Sequence, residues 1–483
     1  MANDNLNNDD DFDFDGEEGN EEELDGLVEK FEKTLEDDSA VFFDSDEFEA
    51  LVDYYFSINS FDYARKACDA ALAQYPFLNE FKLRKVQIFA SNLQHKEALT
   101  LLSEIELAEE NNAEFYMTRG SIYSQMNDYN KAIDNYNKAL INANEDEMDF
   151  IYINIGFEYE NLNNFDKAIV FFRKAIEVNE DNEAALFELA YCYELANKSQ
   201  ECVEYFLTYT DKNPLNASAW YSLGVGYSRL ELFEKALEAF DYAIAIDEDF
   251  ASAYFNKANT YANLERYAEA IEQYEQALEY EIADSLIYYY IGECYEKMGA
   301  PEKAMKYYQK NISLDNNASD AYVGMGVVLD TLDRTNEAIA YVKKGVEIEG
   351  NNSDYWYIYA DLLSKAGLYD EADDAYHKVI DYEPMNEDIW VDLANFYFET
   401  EDFINAENTI RQGIKLHPAR ADYYYFYCAL LQNTQRAQES LLQLDMGLQL
   451  NYTEHTELFE FDEKLKNNTE IVNRIASAKP EEK

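Results

Sequence analysis

The chain has 483 residues, 47% of them apolar, so it can bury a large core and is not a disordered chain. Only 16 Gly and 6 Pro interrupt it while aromatics reach 15%, which argues for helices joined by tight turns and against a strand-rich fold. Asp and Glu outnumber Lys and Arg by 99 to 38, and a formal charge of −61 is repelled by phosphate backbones and anionic lipid.

In chain order, residues 1–44 come first, with 18 acidic residues and two lysines. Through about Asn20 this is low-complexity acid and Asn, expected as a largely disordered acidic tail. Asp11, Asp13, Asp15, Gly16 and Glu22 fit the calcium-loop expression D-x-D-x-D-G-x5-E, whose hard oxygen ligands suit Ca²⁺. Residues 1–10 offer no apolar face for an entering helix, and Glu18 stands where an apolar residue packs, so a solvated tail is the favoured reading. From Glu22 to Asp37, Leu24, Leu27, Val28, Phe31 and Leu35 recur at helical spacing and predict a short amphipathic helix near 22–37. No basic-then-apolar leader opens the sequence, and no run of about 18 apolar residues occurs. Cys68, Cys192, Cys202, Cys294 and Cys428 are scattered, odd in number and without a CxxC pair, which points to buried hydrophobes in a reducing, cytoplasmic setting.

The remainder repeats. Ala64, Ala98, Ala132, Ala168, Cys202, Ala236, Ala270, Ala304, Ala338, Ala372, Ala406 and Ser440 fall 34 residues apart, with one interval of 36. They define twelve units over 45–454, starting at 45, 79, 113, 149, 183, 217, 251, 285, 319, 353, 387 and 421. In the sixth, Trp220, Leu223, Gly224 and Tyr227 line one helix face, and Ala236, Phe240 and Ala243 line another. Neither face is covered within a pair, so pairs must stack, with Gly224 and Ala236 allowing close approach of the helices. Pro76, Pro214, Pro384 and Pro418 share unit position 32, where the second helix must stop. The second unit departs most, with Lys82 and Lys85 at packing positions, and a shifted or poorly packed first helix is expected there. Past 455, Leu458, Phe459, Phe461, Ile471, Val472 and Ile475 are expected to form a capping helical segment over 455–483.

Trp220, Leu223, Gly224, Tyr227, Ala236, Phe240 and Ala243, with prolines such as Pro214 closing some units, resemble the signature of the tetratricopeptide repeat. Twelve units in phase make that resemblance specific. It implies an all-α fold, a right-handed α-solenoid (superhelix) of helix–turn–helix units. It also implies that the first helices line a concave groove, exposing unit positions 2, 5, 6, 9, 12 and 13.

No catalytic constellation is found: His95, His377, His417 and His455 share no face, and P-loop, GxGxxG and GxSxG patterns are absent. The expected function is therefore a non-catalytic scaffold or adaptor that binds another protein in the groove, without cofactor or metal. A self-assembling structural solenoid is the alternative, and a calcium-binding acidic tail a more remote one. The groove positions carry 18 acidic residues and four basic ones, Arg84, Arg229, Lys297 and Lys365. A Lys and Asn clamp for a carboxylate terminus is missing, since Phe255 replaces the Lys and only Asn256 and Asn259 echo the motif. Position 5 is apolar from the second unit on: Leu83, Met117, Ile153, Phe187, Tyr221, Phe255, Tyr289, Val323, Tyr357, Val391 and Tyr425. Position 9 adds Phe157, Tyr191 and Val225. Contiguous apolar surface of this kind marks binding sites, whereas packing between units would leave no ligand surface. Phe157, Phe187, Tyr191, Tyr221, Phe255, Tyr289 and Tyr357 are the candidate contacts for an apolar, net-basic protein segment, with no nucleic-acid or membrane partner. Asp320, Asp354, Asp388 and Asp422, all at position 2, are expected to cap helix N-termini.

Overall fold

The structure is a computed structural model describing residues 15–37, 41–280 and 285–479, among which there is no strand. The chain divides into two compact units, Met1–Glu248 and Asp249–Lys483. The first opens with α1 (Asp15–Glu36), followed by α2 (Ser45–Ser57), α3 (Phe61–Gln74), α4 (Asn79–Ser91) and α5 (His95–Ile105). Next are α6 (Ala113–Gln125), α7 (Tyr129–Asn142), α8 (Glu145–Asn161) and α9 (Phe165–Val178). It ends with α10 (Glu183–Leu195), α11 (Ser199–Lys212), α12 (Ala217–Arg229) and α13 (Phe233–Ile246). The second unit holds α14 (Ala251–Asn263), α15 (Tyr267–Tyr280), α16 (Ser285–Lys297), α17 (Pro301–Leu314), α18 (Ser319–Thr331) and α19 (Thr335–Ile348). It continues with α20 (Ser353–Lys365), α21 (Tyr369–Tyr382), α22 (Ile389–Glu399), α23 (Phe403–Leu416), α24 (Ala421–Asn433) and α25 (Ala437–Leu450). Two short 3₁₀ turns, α26 (Leu458–Phe461) and α27 (Thr469–Ser477) close it.

From α2 to α25 each even-numbered helix packs on the odd-numbered one that follows, and within each unit the pairs stack in sequence as a solenoid. One residue in the left-handed region reverses the chain inside every pair. In the first unit these are Asn59, Leu93, Asn127, Asn163, Asn197 and Glu231. In the second they are Glu265, Gly299, Asp333, Gly367, Glu401 and Gln435. The N–H after each then reaches back to close the helix end, as Ser60 does to the Tyr55 carbonyl at 2.8 Å. Helix starts are capped by Asn: Asn182 Oδ1 accepts from the Ala185 N–H at 3.0 Å, and Asn216 Oδ1 from Ala219 at 2.8 Å. Inside the pairs a small residue faces a ring. A Cβ built on Gly224 would lie 2.5 Å from Phe240, so this approach requires glycine.

Several expectations change. The helix expected at 22–37 spans Asp15–Glu36, and it docks: Phe31 is buried, edge-on to Phe43 at 5.9 Å and beside Tyr55 at 6.1 Å. In the calcium expression, Asp11 and Asp13 lie outside the described residues, while Asp15 and Gly16 already belong to α1. Helix α8 starts at Glu145, before 149, because Glu147 Oε2 accepts from the Asn144 N–H (3.0 Å) and closes an extra turn in the 36-residue interval. Helix α4 forms in full over Phe81, Leu83, Val86, Ile88 and Ala90. Lys82 and Lys85 are only half-buried, and Lys85 Nζ reaches Asp69 at 2.5 Å.

Candidate functional site

In several pairs the two helices carry different electrostatics. On the second helices, lysines sit over rings contributed by the first. Lys131, Lys167 and Lys303 lie 5.1, 4.8 and 4.9 Å from the ring centres of Tyr123, Tyr159 and Tyr295. Lys310 lies 4.0 Å from that of Tyr288. Each of these cations lies against an aromatic face of its own pair's first helix. The first-helix face has the acid and few bases to match it.

In the first unit the face of α8, α10 and α12 brings together four of the expected contacts. Phe157 is edge-on to Phe172 at 5.5 Å, Phe187 edge-on to Tyr221 at 5.7 Å, and Tyr221 lies 6.0 Å from Phe240. These three rings are half-buried, and Phe157 and Tyr221 pack against the core of this unit. Tyr191, one turn beyond Phe187, is 48% exposed. Position 5 is therefore not an unbroken exposed row: Leu83 and Ile153 are buried in this unit, and Val323, Val391 and Tyr425 in the other. Among the rings at this position, Phe187, Tyr221 and Tyr357 keep exposed surface, whereas Tyr425 is buried together with Leu458 of α26.

Beside these rings stand Glu160 of α8 and Glu188 of α10, both half-buried and without an ion-pair partner among the described residues. Burial pushes the Glu160 carboxyl up, and Glu188 adds to the effect; burial alone raises Glu188. Both acids also bear on Cys192, whose thiol burial pushes up to about 12. Arg229 of α12 is taken up by Glu194. Glu158, buried on α8, has one oxygen without a hydrogen-bond partner, and burial raises it too. Glu160 and Glu188 are two of the 18 acidic residues at groove positions. Their signal is local, since neither has Lys or Arg three or four residues away.

The adjoining face of α4, α6 and α8 has another character. A cleft of about 470 Å³ is lined there by Gln87, Ser91, Ser121, Gln125 and Asn154, with Phe150 at its side. On the second-helix side, a cleft of about 480 Å³ between α9, α10 and α11 carries mixed charge, including Arg173, Glu177 and Glu204.

The second unit repeats the aromatic–acid pattern. Phe255 packs on Tyr274 and Tyr290 at 5.8 and 5.7 Å, and Tyr289 on Tyr308 at 5.8 Å. Tyr357 is 37% exposed and donates its hydroxyl to Asp392 Oδ2 at 2.9 Å. Burial raises Asp392, and it raises Asp361, to which Asp330 contributes. The position-2 aspartates do not act as side-chain caps. Asp320 accepts from the Tyr355 hydroxyl at 2.5 Å, Asp422 pairs with Arg420 at 2.5 Å, and Asp388 makes no capping bond. Asn352 caps α20 instead, leaving Asp354 in its first turn. At the end of the chain the face is covered from within: Ala421–Leu431 of α24 are buried throughout, and Phe461 of α26 meets Phe426 edge-on at 5.2 Å.

Among the described residues no group of three or more His, Cys, Asp or Glu is placed to hold a metal ion, and no helix is long and apolar enough to cross a membrane.

No curated protein sequence matches the chain. Solved structures with similarity include YrrB, a TPR protein with an unusual peptide-binding site, at 25% identity over 38% of this chain and 94% of that one (TM-score 0.32). The APC/C hetero-tetramer Cut9–Hcn1 is similar at 14% identity over 87% and 94% (TM-score 0.41). PilF of Pseudomonas aeruginosa is similar at 22% identity over 43% and 94% (TM-score 0.37). Family models described as tetratricopeptide repeat match residues 113–140, 150–182, 196–249, 255–321, 319–352 and 363–445. With these matches spread over more than half of its length, and its helix pairs stacked in sequence, the chain belongs to the tetratricopeptide repeat family.

Proposed function

We propose that the protein is a non-catalytic scaffold or adaptor that holds an apolar, net-basic segment of another protein on its first-helix face. One observation carries this reading: half-buried rings stand beside Glu160 and Glu188, which have no ion pair among the described residues. Rings of this kind supply most of the affinity at protein interfaces, and unmatched charge selects the partner and speeds encounter. The chain's own end fits the same reading, since Phe461 packs on the first-helix face of α24. The net charge of −61 opposes stacking of copies on one another and disfavours self-assembly. Five buried, unpaired thiols suit a reducing compartment such as the cytoplasm.

The test is capture from a lysate of the protein's own cells by wild type and by Tyr191→Ala, with melting followed in parallel. Tyr191 is exposed, so the variant should melt within about 1 kcal/mol of wild type while losing partners that wild type retains. An unchanged set of captured proteins would place recognition on another surface.

A further inference from the structure

The rings and carboxylates of α8, α10 and α12 define more than a general preference for basic partners. Glu160 and Glu188 come from adjacent first helices and are near enough for each charge to bear on the Cys192 thiol between them. The Cys192 Sγ lies 3.9 Å from Glu160 Oε2. Neither carboxylate has an ion pair among the described residues, and the nearby cation of α12, Arg229, is committed to Glu194. Phe157 stands one turn before Glu160 on α8, and Tyr191 one turn after Glu188 on α10, so the acid pair is flanked by rings along both helices. Paired carboxylates beside the exposed Tyr191 and the half-buried Phe157 match an arginine or lysine side chain, whose charge they neutralise and whose stem or guanidinium plane lies against an aromatic face.

We propose that this face is a docking surface whose occupant is a protein segment with one arginine or lysine seated between Glu160 and Glu188 and an apolar side chain against Tyr191 and Phe187. The proposal rests on the scaffold reading and adds the chemistry of the seat. Guanidinium or ammonium entry supplies the cation that burial and mutual repulsion make favourable there. The groups facing the seat are Glu160 from α8 and Glu188 and Cys192 from α10, with Glu194 of α10 and Arg229 of α12 paired to each other, while Glu158 of α8 is turned toward Ser124 and Tyr136. Because burial raises both glutamates, a cation that stabilises their charged forms displaces a proton on binding. Affinity should therefore rise with pH through the acidic range.

The probe is a set of blocked decapeptides, each with one Phe and with Arg, Lys, citrulline or Glu one to four residues away, titrated calorimetrically into the full chain. Arg and Lys peptides should bind, with citrulline and Glu peptides roughly tenfold weaker or silent. Binding heats in buffers of different ionisation enthalpy should report proton release. E160Q together with E188Q should remove the Arg and Lys preference and the proton release, whereas E204Q together with D211N, on the second-helix side, should change neither. Circular dichroism checks folding, and E188Q alone serves as the milder variant. If peptides bind and Tyr191→Ala abolishes binding while E160Q/E188Q changes nothing, the cation seat is wrong and the scaffold reading stands. If no peptide binds, or binding ignores both the rings and the acids, this proposal is overturned, and an unchanged lysate capture by Tyr191→Ala would take the scaffold reading with it.

Discussion

Gly224 and Cys202 show how unevenly the repeat constrains its residues. A methyl group at Gly224 would lie 2.5 Å from the Phe240 ring, which is itself fully buried. Gly224→Ala should therefore cost about 1–3 kcal/mol in thermal or urea unfolding. Cys202 occupies the position that is Ala in most units, so Cys202→Ala should cost less, about 1 kcal/mol or under. Burial pushes the thiols of Cys68, Cys192, Cys202, Cys294 and Cys428 up to about 12. A thiol-specific reagent should consequently label none of the five in native protein and all five in denaturant; rapid native labelling would show that the packing is open. At this scale the core was legible, because one residue type recurring every 34 positions reports a shared environment. The site was legible only in part: apolar residues at position 5 were visible, but whether one sinks or surfaces depends on what packs over it, as Tyr425, buried under the closing helices, and the exposed Tyr357 show.

Among the elements, the turn inside each pair was anticipated but the left-handed residue that makes it was not, although Asn or Gly occupies half of these positions. Leu93, Glu231, Glu265, Glu401 and Gln435 hide the pattern, because stacking forces the same backbone on residues that resist it. Leu93 is 73% exposed, so Leu93→Gly loses little packing and should stabilise the first unit by about 1 kcal/mol, read as a higher melting temperature. The α4–α5 pair should still be among the first regions to exchange amide hydrogens, since α5 has 11 residues where most second helices have 14 and α4 carries two half-buried lysines. Protection across 79–112 equal to that of α8–α13 would contradict this. The docking of α1 was hidden by its acidic composition; Phe31→Ala should cost about 2–4 kcal/mol at that end of the stack.

For the whole molecule, charge sets how stability depends on pH. Burial raises the carboxyls of Glu158, Glu160, Glu188, Glu293, Asp361 and Asp392 above their unfolded values. Their ionisation weakens the fold at neutral pH, and that weakening is removed as pH falls through the raised values. Glu106 and Asp445 are held low by Arg119 and Arg474, so their contribution is present at neutral pH and lost only as pH falls through those lower values. Melting temperature should therefore rise from pH 7 to about 5 and fall below about 4, with added salt raising it at neutral pH. The repeat count and helical class were readable from period and composition alone. The excess of acid on the first helices was readable in the same way, but the seating of second-helix lysines on first-helix tyrosines was not, because it depends on which residues of different helices meet. That division of charge underlies the central claim, and site-directed photo-crosslinking in the protein's own cells tests it most directly. A photoreactive residue at Tyr191 is predicted to trap partner segments that carry a Lys or Arg near an apolar side chain, while one at Glu204, in the second-helix cleft, should trap none of them. Partners trapped from position 204 and not from 191 would contradict the account.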